Sequence, residues 1–354
     1  MTRRETRAVT VGGLRLGGEA PILVQSMTNT DTRDAEATLA QIRELAARGA
    51  ALVRVSVYDQ SCAEALRALV DQSPVPLVAD IHFDPELAIA SIENGVHKLR
   101  LNPGNIEKKA DIERVVACAK THGVPIRIGV NSGSLPRDLV ERFGLTPAAM
   151  VKAALRHVAI LERLGFFDIV LSLKASDVPL TVESCRALAK LSPYPQHLGV
   201  TEAGIQGMGN VKSAIGIGSL LLDGIGDTLR VSLSGSPLPE PKAGLDILRA
   251  LGLLRDRLNV VSCPSCGRCT LDVAKIAGRI EAETQGENLP FTVAVMGCAV
   301  NGPGEARRAD IGVAGGGANA VLFKNGRFVR AVPEERLAEE LLAEIRLLSA
   351  QNKG

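Results

Sequence analysis

Short apolar runs alternate with amphipathic stretches along the first two thirds of the chain. Each run is rich in β-branched residues and ends in polar side chains, and each following stretch repeats its apolar positions at helical spacing. The runs that we interpret as strands are residues 22–26, 52–56, 77–81, 98–102, 126–130, 169–173, 197–201 and 228–232. Strands that alternate with helices pair in parallel, so these eight units predict an α/β fold of the (β/α)8 TIM barrel type. An open, doubly wound sheet is the alternative.

Local signals mark the ends of the predicted elements. Asp84 suits an N-cap, Pro85 fits the first helical position, and Asn94 followed by Gly95 ends the same helix. Before the first strand, residues 9–16 alternate around a Gly-Gly pair, which predicts a β-hairpin.

The pattern changes after the proline-rich segment 237–241. Beyond it we expect a helix at 244–257, strands at 259–262, 291–296 and 310–313, helices at 270–283 and 334–348, and a hairpin at 321–329. Asn325-Gly326 in that hairpin favours a type I′ turn. The elements predict a small α+β domain after the barrel. The expected division is a barrel domain at 1–240, a linker helix at 241–258 and a metal-binding domain at 259–354.

Composition argues against several classes of partner. The net charge of the 354-residue chain is only +2, so no global field attracts nucleic acid or an anionic membrane. Aromatic residues make up 3% and tryptophan is absent, which weakens any role in stacking bases. No segment approaches the roughly 20 apolar residues of a bilayer span, and the first residues lack a signal-peptide pattern. We therefore expect a cytoplasmic enzyme that binds neither nucleic acid nor membrane.

Polar and cationic side chains follow the predicted strands, where a barrel places its catalytic groups. Residues two apart on a strand share a face, so these side chains point into one cavity. The cavity is expected to hold Arg54, Arg100, Arg127, Lys174 and Arg230 against Asp80 and Glu202, together with His82, Asn102, Asn131, Ser232 and Ser234. A single strand end is often polar because it approaches solvent. Five cations in one register, however, require an anion to neutralise them, and the guanidinium group of arginine matches the geometry of phosphate oxygens. The pattern predicts a multiply phosphorylated substrate.

Two residues are candidates for proton transfer. Glu202 is a lone carboxylate among cations and can approach an anionic substrate as an acid or base, or it can anchor an arginine. His82 can donate a proton or contact a phosphate group. The pattern leaves both assignments open.

A cysteine motif predicts a metal site in the second domain. Cys263, Cys266 and Cys269 lie close together, and Cys298 follows further along. The chain has seven cysteines, an odd number, so a metal in a reducing compartment is favoured over disulfides. Three interpretations compete: a closed zinc site, an electron carrier of the ferredoxin kind, and a catalytic iron-sulfur cluster with one ligand other than cysteine.

Several long motifs resemble the 4-hydroxy-3-methylbut-2-enyl diphosphate synthase family. The resemblance extends from about residue 5 to 345 and rests on CPSCGR at 263–268, GCAVNGPGE at 297–305, QSMTNT at 25–30, ADIHF at 79–83 and KLRLNPGN at 98–105. It implies a TIM barrel that holds 2-C-methyl-D-erythritol 2,4-cyclodiphosphate and a second domain with a 4Fe-4S cluster. It also implies reductive ring opening of that substrate, flavodoxin or ferredoxin as electron donor, and a homodimer in which the cluster domain of one chain covers the barrel of the other. Closure within one chain remains an alternative.

The resemblance also implies a ligand set. Three cysteines and a glutamate hold the cluster in that family. The resemblance implies that the corresponding ligands here are Cys263, Cys266, Cys298 and Glu305. Cys269 departs from the family pattern and competes with Glu305 for the fourth position. Glu305 is favoured because a carboxylate exchanges for a substrate oxygen more readily than a thiolate does. The rivals are an electron carrier fused to an inactive anion-binding barrel, and a zinc-stabilised aldolase that uses Lys174.

Overall fold

A computed structural model of the protein describes residues 2–82, 84–101, 108–316 and 319–351. The chain forms two compact units, one that ends at Leu251 and one that begins at Gly252.

The first unit is the predicted barrel, entered through the predicted hairpin. The hairpin pairs β1 (Val9–Val11) with β2 (Leu14–Leu16) in antiparallel fashion. The barrel strands are β3 (Leu23–Met27), β4 (Leu52–Ser56), β5 (Leu77–Ile81), β6 (Lys98–Leu101), β7 (Ile126–Asn131), β8 (Ile169–Lys174), β9 (His197–Leu198) and β10 (Thr228–Leu229).

The eight strands pair in parallel in the order β8-β7-β6-β5-β4-β3-β10-β9. A parallel bridge between Leu171 and Gln196 connects the two ends of that order. In addition, the Leu171 N–H donates to the carbonyl of Pro195 at 2.9 Å. The TIM barrel prediction is confirmed. The last two strands are shorter than the sequence pattern indicated, because the chain leaves the ladder after Leu198 and Leu229.

Nine helices belong to the described part of this unit. They are α1 (Ala35–Ala47), α2 (Gln60–Gln72), α3 (Pro85–Glu93), α4 (Lys109–His122), α5 (Arg137–Phe143), α6 (Pro147–Arg163), α7 (Val178–Ala189), α8 (Met208–Leu222) and α9 (Glu240–Ala250). Helix α3 begins as predicted, because the Asp84 carboxylate accepts from the Glu86 N–H at 2.8 Å beside Pro85. None of the helices in the described ranges combines the length and apolar character needed to span a membrane.

The hairpin closes one end of the barrel. Val9, Val11 and Leu16 are buried in one cluster with Leu52 and Val78, which lie at the amino ends of their strands. The amino-terminal end is therefore filled with apolar side chains, and the polar cavity lies at the other end.

The second unit is the predicted α+β domain. Its sheet has the order β11 (Asn259–Ser262), β12 (Thr292–Met296), β13 (Ile311–Gly315), β14 (Ala320–Lys324) and β15 (Arg327–Val332), with the first three strands parallel and the last two pairings antiparallel. Its helices are α10 (Val273–Glu283), α11 (Gly302–Ala306) and α12 (Leu337–Gln351). Apolar residues of α10 and α12 form one core with the sheet, while α11 contributes to a second cluster. Asn325 and Gly326 have φ of +48° and +77°, as a type I′ turn requires.

Candidate active site

A polar cavity opens at the carboxyl ends of the barrel strands. It encloses about 450 Å³ of empty space, counting its open mouth. Its lining comprises Arg54, Asp80, His82, Arg100, Arg127, Asn131, Ser172, Lys174, Thr201, Arg230 and Ser232. The structure thus brings together most of the residues that the strand pattern singled out. Thr201 was absent from the predicted set, although its position at the end of a strand-like run was the available signal.

The lining has a large excess of positive charge. Within the described ranges, five arginine and lysine side chains line the cavity, and Asp80 is the one carboxylate among the lining residues. Arg127 is 1% exposed, and Arg100 and Lys174 are 4% and 6% exposed. Nε and Nη2 of Arg127 and Nε of Arg100 lack a hydrogen-bond partner among the described residues. Buried donors without partners are costly, so the cavity suits an anion with several acceptor oxygens.

Asp80 organises two of these cations. Its carboxylate accepts from Arg100 Nη1 at 3.0 Å and lies 3.7 Å from Arg54 Nε. Burial raises the pKa of Asp80, but the charges of Arg54 and Arg100 outweigh burial and lower that pKa to about 2. Asp80 therefore stays ionised and holds both guanidinium groups toward the cavity.

His82 lies beside this pair and is half-exposed. Its Nε2 is 2.8 Å from Arg100 Nη1 and 4.0 Å from an oxygen of Asp80. Because a guanidinium only donates, Nε2 accepts this hydrogen bond and the neutral ring carries its proton on Nδ1. Burial lowers the pKa of His82, and the neighbouring arginines contribute.

Two glycines make room for the long cationic side chains. A Cβ on Gly199 would lie 2.6 Å from Lys174 Nζ, and a Cβ on Gly129 would lie 2.8 Å from Arg100 Nε.

Burial lowers the pKa of Lys174 well below its usual value, and the charge of Arg127 acts in the same direction. An anion in the cavity would offset both effects.

Lys98 is a further buried cation of the barrel that is absent from the predicted set of site residues. Lys98 is fully buried and its Nζ donates to Gln25 Oε1 at 3.3 Å, while Arg127 Nη1 donates to Ser172 Oγ at 3.1 Å. Burial, followed by the charge of Arg127, lowers the pKa of Lys98 well below its usual value. Lys98 precedes Arg100 by two residues, so the rule that places Arg100 inside the barrel would have found it.

The remaining predicted residues lie elsewhere. Glu202 is exposed in a turn after β9 with φ of +52°, and it is not among the lining residues of the cavity. Ser234 is also exposed, and its N–H donates to the carbonyl of Gly204 at 3.0 Å. Asn102 falls outside the described residues.

The cysteine motif lies at one edge of the second sheet. Cys263 directly follows β11, and its N–H donates to the Val295 carbonyl at 3.1 Å. The Gly297 N–H donates to Cys263 Sγ at 3.2 Å, which brings Cys263 against the segment that carries Cys298. Backbone N–H groups, that of Asn301 above all, lower the pKa of Cys298.

Cys269 makes a side-chain hydrogen bond within its own segment. Its Sγ donates to the carbonyl of Leu271 at 3.1 Å, and its side chain, like that of Cys263, packs against the main core of the second unit. A Cβ on Gly297 would lie only 2.0 Å from this sulfur. The sulfur of Cys269 is therefore in close contact with Gly297 and Leu271, whereas Cys266 is exposed.

The donor set fits an iron-sulfur group by its chemistry. All seven cysteines are free thiols, and thiolates are the ligands that such clusters use. Glu305 lies on α11, where its Oε1 is 3.4 Å from Arg308 Nη1, and its side chain is 51% exposed. Among the residues that the structure describes, no three His, Cys, Asp or Glu side chains are grouped as a metal site. The fit thus rests on ligand type and on the shared sheet edge of Cys263 and Cys298.

Fold and cavity together define a class of protein: a TIM barrel with a cationic cavity at its carboxyl-terminal end, followed by a cysteine-bearing α+β unit. The chain belongs to the GcpE family. The family model of the GcpE TIM-barrel domain matches residues 6–245, and that of the GcpE protein C-terminal domain matches residues 259–347.

Relatives of known name resemble the chain over nearly its full length. A protein of Caldanaerobacter subterraneus subsp. tengcongensis is 53% identical, with 97% of each chain covered, and one of Geobacter sulfurreducens is 53% identical with 99% of each covered. Both are named 4-hydroxy-3-methylbut-2-en-1-yl diphosphate synthase (flavodoxin). Among solved structures, 3-dehydroquinate dehydratase from Geobacillus kaustophilus matches with a TM-score of 0.50 and 16% identity, covering 70% of this chain and 99% of that one. This last likeness concerns the barrel fold alone.

Proposed function

We propose that this chain converts 2-C-methyl-D-erythritol 2,4-cyclodiphosphate into 4-hydroxy-3-methylbut-2-enyl diphosphate, a precursor of isoprenoids. The observation that carries the proposal is the cavity lined by five arginine and lysine side chains. A cyclic diphosphate brings two phosphate groups and so supplies the negative charge that these buried cations require. The names of the relatives support the same reaction.

The proposed reaction is a two-electron reduction. The substrate dianion takes up two electrons and one proton, the ring C–O bond to phosphate breaks, a hydroxyl group leaves as water, and the product is a trianion. Charge therefore accumulates on the released phosphate oxygen. The N–H groups of Arg127 and Arg100 that lack a partner among the described residues are preorganised donors for that charge. Donors held in place before the reaction stabilise a developing charge effectively, because they need no reorganisation.

We assign the proton donor to Glu202. His82 is the weaker candidate because its Nε2 already accepts a hydrogen bond from Arg100, which leaves Nδ1 as the nitrogen that can donate a proton. Glu202 follows β9 at the end of the barrel where catalytic groups lie, and its left-handed backbone is the kind of strain that often marks functional positions.

A 4Fe-4S cluster held by Cys263, Cys266, Cys298 and Glu305 would supply the electrons, one at a time. The hydrogen bond from the Cys269 sulfur to the Leu271 carbonyl supports leaving that residue out of the ligand set. Glu305 is exposed and carboxylate is the harder ligand, so its position is the exchangeable one. The names of the relatives favour flavodoxin over ferredoxin as the donor.

We further propose a homodimer in which the cluster domain of one chain covers the barrel of its partner. An apolar face on α8 supports a contact with a second copy. Met208, Val211, Ile215 and Leu222 are 62%, 49%, 55% and 56% exposed, and their spacing puts them on one side of the helix. Gly218 completes the same row and leaves open space where a Cβ would be. Mixing a Cys266→Ser chain with an Arg127→Met chain would restore activity only if one site uses both chains.

The test of the function is anaerobic turnover. The full chain is reconstituted with iron and sulfide, supplied with chemically reduced flavodoxin, and the phosphorus NMR signals of the cyclodiphosphate are followed. We expect a brown protein that converts the cyclic into the linear diphosphate. A colourless, zinc-containing protein, or a brown one that leaves the substrate intact, would refute the proposal. Cys266→Ser should abolish turnover, whereas Cys62→Ser, a buried barrel cysteine, is the matched control and should not.

A further inference from the structure

A buried carboxylate lies just outside the cavity, at the first residue of α9. Glu240 is 1% exposed and does not belong to the lining. Its Oε2 accepts from Arg230 Nε at 3.1 Å and from Ser26 Oγ at 3.2 Å. Its Oε1 accepts from Arg230 Nη2 at 3.3 Å and from the Leu233 N–H at 3.0 Å. One carboxylate thus joins β3, the residue after β10, the loop beyond it and helix α9.

The pairing with Arg230 is bidentate, which fixes the plane of the guanidinium as well as its position. One edge of the group, Nε and Nη2, faces Glu240. The remaining nitrogen, Nη1, lies 3.3 Å from Met27 Sδ, and Nη2 of Arg54 approaches the same sulfur to 2.8 Å. A thioether is a weak acceptor, so this side of Arg230 keeps most of its capacity for a ligand.

We propose that Glu240 is a positioning residue of the anion site: it holds the Arg230 guanidinium in the orientation that receives a phosphate group of the substrate. This role rests on the proposed function, because the proposed function identifies the substrate whose phosphate group Arg230 would bind. Without Glu240, Arg230 has to be ordered when the ligand arrives, and ordering one such side chain costs about two- to twelvefold in affinity. In the sequence, Glu240 falls in the proline-rich segment 237–241, and no pattern singles it out as a site residue.

The test has to separate the effect of Glu240 on the orientation of Arg230 from the effect of its negative charge on anion binding. Replacing Glu240 by glutamine would remove a negative charge beside an anion site and strengthen binding electrostatically, which masks any loss of order. Glu240→Asp keeps the charge but withdraws the oxygens by one methylene, so the contacts to Ser26 and Arg230 no longer form together. Ser26→Ala also keeps the charge and removes one hydrogen bond, and it is mild enough to fold if Glu240→Asp does not.

Binding is measured by titration calorimetry of the full chain with inorganic pyrophosphate and, separately, with the cyclodiphosphate. We expect Glu240→Asp to weaken pyrophosphate binding about five- to tenfold and Ser26→Ala about two- to fivefold. In an Arg230→Met background, Glu240→Asp should weaken binding no further, because Glu240 acts through Arg230. Asp227→Glu is the matched control. Asp227 is also a buried carboxylate, but it bonds Arg3, Thr6 and the Gln196 N–H, away from the cavity lining, so affinity should not change.

Two results would overturn the inference: unchanged pyrophosphate affinity in both charge-conserving variants, or a loss that persists in full in the Arg230→Met background. The second result would indicate a general structural role for Glu240. Failure of the proposed function has a different signature. In that case the unmodified protein binds pyrophosphate but not the cyclodiphosphate, while the effect of Glu240→Asp on pyrophosphate remains.

Discussion

The replacement Asp80→Asn tests whether the barrel mouth is held together by one carboxylate and completed by an anion. Asp80 is 3% exposed, and its pKa is lowered from the ordinary value of 3.8 to about 2 by Arg54 and Arg100, against the effect of burial. A shift of that size corresponds to about 2 kcal/mol of stability at neutral pH. Removing one partner of a buried ion pair typically costs about 3–5 kcal/mol, because the other charge loses its compensation.

For a unit of this size each kcal/mol lowers the melting temperature by about 2–4 °C, so Asp80→Asn should lower it by roughly 6–20 °C. The measurement is thermal unfolding at pH 7 in phosphate-free buffer. Because the folded-state pKa of Asp80 is depressed, its contribution is complete above about pH 4 and disappears as the pH falls toward 2. The difference between the two proteins should shrink over the same interval.

Inorganic pyrophosphate supplies the second half of the test. The variant lacks a negative charge in the cavity, so pyrophosphate should bind it more tightly and raise its melting temperature more than that of the unmodified protein. Asp138→Asn is the control, since Asp138 pairs with Arg156 on the surface, where ion pairs contribute little. A melting temperature for Asp80→Asn within about 2 °C of the unmodified protein, or an equal response of both to pyrophosphate, would refute the reasoning.

Three further predictions concern other parts of the molecule. Cys269→Ser should keep the iron content and visible absorption that Cys298→Ser loses, because the Cys269 sulfur bonds the Leu271 carbonyl; loss of the chromophore in both would reinstate Cys269 as a ligand. Lys98→Met should raise the melting temperature, and the gain should be larger at pH 6 than at pH 10. Burial lowers the pKa of Lys98 in the folded state, so at pH 6 the unfolded protein binds a proton more readily than the folded one, and this lysine destabilises the fold. An equal gain at both pH values would contradict this. Ile215→Lys should reduce the mass in sedimentation to that of a single chain, and a persistent dimer would exclude the exposed face of α8 as the contact.

The barrel, the second domain and the charge of the site all follow from local patterns in the amino-acid sequence. Strand and helix periods are local, so the alternation predicted every barrel strand within a few residues, and Asn325-Gly326 predicted its turn because both residues tolerate positive φ. The excess of cations also followed locally, since residues two apart on a strand face the same way. The ligand type followed from cysteine chemistry.

The side chains that hold the cationic ones in place can be identified only in the folded chain. Glu240 meets Ser26 across 214 residues and Lys98 meets Gln25 across 73, and no local pattern predicts pairs so far apart in the chain. The same holds for Cys269, whose spacing matches that of its neighbours in the motif, while the fold places its sulfur beside Gly297 and the Leu271 carbonyl. Glu202 was expected among the cations, yet it lies exposed in a turn outside the lining. Periodicity reports the face on which a residue lies, but a contact depends on how distant elements come together, and that requires the folded chain.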